Sequence, residues 1–264
     1  PHEFNLDFPH LMLRYRAIEN KKGDTPFVQK QISQTDRNGK LAAPVAGLTN
    51  WGTGLNNKLT RPAMEAVAGI DKNAVLPKFH DKTFVARAKE NFPEVNLEAP
   101  ASGRKAVLYA TCFVNYNNPD IGEAARNVLA KNGVVTEVIY PKCCGMPKFE
   151  HGDIAAVAEN AKDIASELLS WVDKGYDIVA LVPSCALMLK FEWPLILPDN
   201  EDIKQLSAAT YDVTEYVVGI ARDEGLADGL EPAAGGITVH LACHARAQNM
   251  GPKAVEMLRF LPNT

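Results

Sequence analysis

The spacing of apolar residues changes character part-way along the chain. From Lys105 onward, short β-rich runs alternate with longer stretches whose apolar residues recur three and four apart, the signature of strands alternating with helices. Lys105 to Thr111, with Val107, Leu108 and Tyr109, reads as the first strand, and Val134 to Tyr140, Asp177 to Val182 and Gly236 to Leu241 as three more. Helices are expected from about Asp120 to Asn132, stopped by Gly133, then over Asp153 to Lys174, Ala186 to Glu192 and Asp212 to Glu224. The clearest is Asp153 to Lys174. Its Ile154, Val157, Ala161, Ile164, Ala165 and Leu168 share one face, with Asp153 placed to cap it and Gly175 to end it. This order predicts an α/β domain with a mostly parallel sheet and helices on both faces.

The first hundred residues have a different texture. Short helical patterns span Phe8 to Ile18, Arg61 to Ala68 and Lys82 to Asn91, while turn formers such as Asn50-Trp51-Gly52-Thr53-Gly54 predict loop between them. With Phe8, Phe27, Trp51, Phe79 and Phe84 in it, the segment reads as one that wraps onto another surface. The predicted organisation is an irregular, partly helical segment over 1–100, its linker spanning Pro93 to Arg104, and a cysteine-rich α/β domain over 101–264.

Composition narrows the function. Hydrophobic residues make up 46% of 264, enough for a large core. A net charge of −4 without basic runs argues against nucleic-acid binding. No apolar run reaches the roughly 20 residues of a transmembrane helix, and Pro1-His2-Glu3-Phe4 lacks the features of a signal peptide, so a reducing cytoplasm is expected. Five cysteines, an odd number, favour metal binding or redox chemistry over a disulfide framework.

Their positions carry the chemistry. Cys112, Cys143-Cys144, Cys185 and Cys243 each follow one of the four predicted strands. The carboxyl edge of an open α/β sheet is where ligands bind, so the chain is expected to gather sulfur at one rim. Adjacent cysteines such as Cys143 and Cys144 rarely bond to each other, because the ring strains the peptide between them, so they need partners elsewhere. The turn-rich sequences nearby, Asn115-Tyr116-Asn117-Asn118-Pro119, Gly145-Met146-Pro147 and Pro183-Ser184, can direct backbone N–H groups at thiolates. His151, His240 and His244 lie near these cysteines and can ligate a metal or move a proton, although lone histidines are more often structural.

Cys112 and Cys243 also open similar units: strand, cysteine, amide-bearing turn, glycine and amphipathic helix. A Cys-Cys pair equivalent to Cys143-Cys144 would fall beyond Thr264, so the second unit is expected to be incomplete, with either the chain a fragment or Cys243 serving the first site as an extra ligand.

These residues resemble the CCG, or cysteine-rich, domain family of Fe–S oxidoreductases, which includes the B subunit of heterodisulfide reductase and the C subunit of anaerobic glycerol-3-phosphate dehydrogenase. The motif is one cysteine, a gap, Cys-Cys-Gly, a second gap and Cys-x-x-Cys, usually present twice. Cys112, Cys143-Cys144-Gly145 and Cys185 match it, while Val182 stands where the first cysteine of the last pair belongs. Ser184-Cys185-Ala186-Leu187-Met188-Leu189-Lys190 and Ala242-Cys243-His244-Ala245-Arg246 are similar to the glycerol-3-phosphate dehydrogenase branch. There a ferredoxin-like segment precedes this part, so the chain is expected to lack both that segment and the end of the second repeat.

The resemblance implies an electron-transfer subunit with a [4Fe–4S] cluster, cubane or noncubane, on Cys112, Cys143, Cys144 and Cys185, with Cys243 as a further cofactor-binding residue. It implies a redox partner or flavoprotein subunit, a cytoplasmic location that becomes peripheral at the inner membrane through partners, and a cluster that an oxidised sample can lack. Two other readings of the residues stay open. Four thiolates suit zinc in a structural or interaction module. The vicinal pair also suits thiol–disulfide exchange, with Cys185 or Cys112 as the resolving thiol.

Overall fold

The computed structural model describes residues 7–263, so the expectations placed on Pro1 to Phe4 lie outside the described residues. Three predicted strands form as β1 (Lys105–Tyr109), β2 (Val135–Ile139) and β3 (Asp177–Ala180), and a fourth, β4, spans Thr210–Asp212. All are parallel, in the order β2-β1-β3-β4. Val107 is registered on Glu137 of β2 and on Ile178 of β3, which places β1 inside the sheet.

Side-chain alternation then divides the core into two layers. Val107, Tyr109, Ile178 and Ala180 face one side, where α10 (Ile154–Val172) and α13 (Glu201–Ala208) cover them. Ala106, Leu108 and Val179 face the other, beneath α8 (Pro119–Lys131) and α14 (Val213–Asp223). In α10 the stripe of Val157, Ala161, Ile164, Ala165 and Leu168 is buried, and Asp153 caps it by accepting the Ala156 N–H at 3.3 Å. Each large aliphatic side chain in that stripe contributes roughly 1.5–3 kcal/mol by leaving water. The protein is thus α/β with a parallel sheet between helical layers, as the periodicity predicts.

The first hundred residues are more helical than their turn formers suggest. They hold α1 (Phe8–Lys22), α2 (Phe27–Ile32), α3 (Thr35–Ala42), α4 (Ala46–Thr53), α5 (Thr60–Ala68) and α6 (Phe84–Glu90). Trp51-Gly52-Thr53, expected in a turn, is the end of α4. Asn50 holds it there by exchanging two 2.8 Å hydrogen bonds with the backbone of Phe79, a tertiary contact that outweighs local composition. The segment docks on the domain through Phe84, which is fully buried against Gly122, and through Arg126, whose guanidinium donates to the Ala88 and Asn91 carbonyls at the end of α6.

Two further expectations are corrected. Gly236 to Leu241 joins no strand, because the sheet edge beside β3 is occupied by Thr210–Asp212, paired from Ile178↔Thr210 to Ala180↔Asp212. The helix expected over Ala186 to Glu192 begins earlier, as α11 (Pro183–Leu187), and passes through a π-helical turn at Met188–Glu192 into α12 (Trp193–Ile196).

Candidate metal centre

The chain leaves β1 towards β2 on one side and leaves β3 towards β4 on the other. A crevice at the carboxyl edge opens between strands whose connections diverge in this way. Cys112 and Cys185 stand beside that switch point, each in the first turn of a short helix, α7 (Cys112–Tyr116) and α11. Cys143 and Cys144 arrive from the end of β2. Three successive strand ends therefore deliver four sulfurs, arranged as two pairs. Cys112 and Cys143 have their Sγ atoms 3.7 Å apart, and the Cys144 thiol lies 3.1 Å from Cys185 Sγ. Cys143, Cys144 and Cys185 are buried and Cys112 is half-buried. Among the described residues no three Cys, His, Asp or Glu side chains converge as the cage of a single ion.

The turn carrying the vicinal pair is held from several directions. Tyr109 donates its hydroxyl to the Lys142 carbonyl at 2.6 Å, and Trp193 donates its indole N–H to the Cys144 carbonyl at 3.2 Å. Gly145 adopts φ +91°, a left-handed conformation that turns its N–H towards Cys143 Sγ at 3.5 Å, and a Cβ there would meet Val157 at 3.2 Å. On the other side of the site, Thr111 also has positive φ, +52°, which is strained for a β-branched residue; it aims Cys112 and caps α7 by accepting the Val114 N–H at 3.2 Å.

The N-terminal segment supplies two groups that the sequence pattern gave no reason to connect with this turn. Asp36, in the first turn of α3, accepts the Cys143 backbone N–H at 2.7 Å with one oxygen and the Tyr140 hydroxyl with the other. The preceding hydroxyl, Thr35 Oγ1, is buried without a regular hydrogen-bond partner, yet it lies close enough to the Cys112 and Cys143 thiols to favour their ionised forms. Asp36 and the Cys143–Gly145 turn border a cleft of about 100 Å³. A larger cleft of about 740 Å³, between α1 and Phe149, Glu192 and Ile196, contains no cysteine.

These contacts distribute protons unevenly. Cys143 is held well below the usual thiol range because the Cys112 and Cys144 thiols donate to it, an effect that exceeds the opposing cost of burial. Cys112 and Cys144 are pushed upward, first by their contacts with Cys143 and then by burial, which for Cys144 follows a second hydrogen bond, to Cys185. Tyr109 and Tyr140 are raised chiefly by burial, so both keep the hydroxyl protons they donate.

Cys243 differs from the other four in its setting: it is exposed at the start of α15 (Cys243–Ala247), after a stretch that joins no strand, so it does not follow a strand end as expected. The likeness between the two units survives in their helices: Cys112 and Cys243 each open a five-residue helix. Beside Cys243, His244 Nδ1 lies 2.7 Å from Ser184 Oγ, which brings α15 against α11. His240 is exposed, and His151 ends the short helix α9 (Met146–Glu150). Val182 packs among the hydrophobic layers, and its carbonyl accepts the Cys185 N–H at 2.9 Å.

Residues 106–190, from β1 to just beyond Cys185, match the family described as CCG, cysteine-rich domain. This stretch is a CCG cysteine-rich domain. Over 233 residues, 88% of this chain, the sequence is 28% identical to the C subunit of anaerobic glycerol-3-phosphate dehydrogenase from Escherichia coli strain K12, and it spans 57% of that protein's length. It is 30% identical to lactate utilization protein A of Geobacillus thermodenitrificans over 161 residues, 58% of this chain and 62% of that protein. No solved structure gives a significant match. No helix among the described residues is long and apolar enough to cross a membrane.

Proposed function

We propose that this chain is an iron–sulfur redox subunit, in which Cys112, Cys143, Cys144 and Cys185 hold a [4Fe–4S]-type cluster that relays electrons between redox partners. The observation that carries the reading is the delivery of four thiols, as two close pairs, by three strand ends of a CCG domain. The residues suit such a group in three respects. The donors are all soft sulfur, the Gly145 N–H is directed at one of them, and the Thr35 hydroxyl is buried beside two without another partner. A bound cluster would supply one-electron storage at a potential set by its surroundings.

The protein's own groups bind, shield and orient. Surrounding hydrogen bonds favour the ionised form of Cys143, and Tyr109, Trp193 and Asp36 fix the turn that presents it. The partner is a redox protein such as a flavoprotein subunit. One relative is itself called a dehydrogenase subunit, which supports a multi-subunit setting for this chain. Its place is the cytoplasm, peripheral at the membrane through such partners.

Anaerobic purification followed by iron and acid-labile sulfide analysis and EPR tests this. Stoichiometric iron and sulfide with a reducible EPR signal are expected. Zinc without iron would overturn the proposal and make the site structural.

The 3.1 Å contact of Cys144 with Cys185 favours a second reading, thiol–disulfide exchange. There the Cys144–Cys185 pair attacks a substrate disulfide: one thiolate forms a mixed disulfide, the other displaces it, and the substrate leaves as two thiols while the pair is oxidised. Turnover of a disulfide substrate by metal-free protein, abolished in Cys185→Ser, would support that reading over the first.

A further inference from the structure

We propose that Asp36 is a positioning residue of the cysteine site: it tethers α3 across the vicinal pair as a cover and sets a fixed negative charge beside the thiols. The reading rests on the site assignment above. It is carried by three contacts. One carboxylate spans two anchors that belong to the end of β2, the Cys143 N–H and the Tyr140 hydroxyl, 107 and 104 positions away in sequence. Thr35, one residue earlier, lines the same cleft as Cys143 and buries its hydroxyl there without a hydrogen-bond partner. One turn later Gly39 lies flat on the ring of Tyr116, so close that a Cβ would sit 2.2 Å from the ring, and Tyr116 meets Tyr140 edge to face at 5.7 Å. The helix is therefore pinned at its amino-terminal end and again at its middle, and its amino-terminal end closes the thiol site.

The two halves of the role have separate physical causes. Hydrogen bonds to a carboxylate are stronger than those between neutral groups, so the tether favours the closed position. The charge opposes the addition of an electron nearby, so it shifts any group held by the thiols towards a lower reduction potential.

Alkylation of metal-free protein with iodoacetamide, read at Cys143 by mass spectrometry, tests the tether. Asp36→Ala is expected to raise the rate roughly tenfold, the factor equal to losing about 1.4 kcal/mol of closure. Asp36→Asn, which keeps an oxygen for the Cys143 N–H, is expected to return most of the protection. Should Asp36→Ala fail to fold by circular dichroism, Tyr140→Phe removes one anchor and keeps the ring, and a smaller acceleration is expected. Unchanged rates in the folded variants overturn the tether. In protein loaded with iron and sulfide, Asp36→Asn is expected to move the midpoint potential to more positive values, and an unchanged midpoint overturns the electrostatic half. A protein that takes up no iron refutes the function proposed above and the charge effect built on it, whereas the alkylation comparison still decides the tether.

Discussion

The indole of Trp193 reaches the carbonyl of Cys144 at 3.2 Å, and it does so from the end of a π-helical turn. Trp193 is fully buried, so this carbonyl has no water to replace the indole. The Trp193→Phe variant keeps most of the packing and removes the donor. It is expected to lose about 1–3 kcal/mol in urea unfolding, the cost of a buried acceptor left unsatisfied. A loss below a few tenths of that range would mean the turn rearranges freely.

Gly145 provides a second test of the same turn. Its φ of +91° and the 3.2 Å approach of Val157 leave little place for a side chain. Gly145→Ala is expected to destabilise by roughly 1–2 kcal/mol from the left-handed backbone alone. Thermal denaturation of the metal-free protein isolates this effect from any ligand.

The cysteines separate into two classes. Serine replacements of Cys112, Cys143, Cys144 and Cys185 are each expected to remove most of the bound iron and sulfide from anaerobically prepared protein. Cys243→Ser is expected to retain it, because Cys243 is exposed on α15 whereas Cys143, Cys144 and Cys185 are buried. Loss of iron from Cys243→Ser would place that thiol among the ligands.

Packing of α3 can be disturbed without altering any polar group. Gly39→Ala inserts a methyl group against the Tyr116 ring, and overpacking of this kind costs about 1–3 kcal/mol. Hydrogen exchange over residues 35–42 is expected to quicken, while exchange in β1 and β3 stays as it was. Equal acceleration in both places would show global rather than local loosening.

At the far end of the segment, His10 links α1 to the α11–α12 region. Burial opposes its charge, but hydrogen bonds to Glu192 at 3.0 Å and Asp7 at 2.5 Å outweigh that and raise its pKa above the ordinary value. Its stabilising effect is therefore complete below the unfolded pKa of about 6.5 and fades as pH rises through the higher folded value. Exchange protection in α1 is expected to be greater at acidic than at alkaline pH. His10→Gln should flatten that dependence.

How much of this the sequence discloses depends on whether the information is local. The strands β1 to β3 and the helix α10 are written in periodicity, and their boundaries shift by only a residue or two in the structure. The edge strand β4 is three residues long and has no pattern of its own; it exists because Thr210 can pair with Ile178, while Ile237-Thr238-Val239, richer in β-formers, pairs with no strand. The cysteines are legible because each follows a strand. Asp36 and Thr35 are not, since nothing near them in sequence hints at a contact more than a hundred residues away. The helices over residues 27–53 escape for a related reason, as Gly39, Pro44, Gly47 and Gly52 weaken the local pattern that packing then overrides.

The strand order also fixes a sequence of assembly. β1 lies inside the sheet, yet both of its neighbours are synthesised after it, so Cys112 has no sulfur partner until β2 has paired and brought Cys143 to it. Cys144 waits longer, until β3 docks on the opposite side of β1 and delivers Cys185. α3, made well before any of them, has nothing to cover in the meantime. A nascent chain therefore passes through a period in which its thiols are single and uncovered.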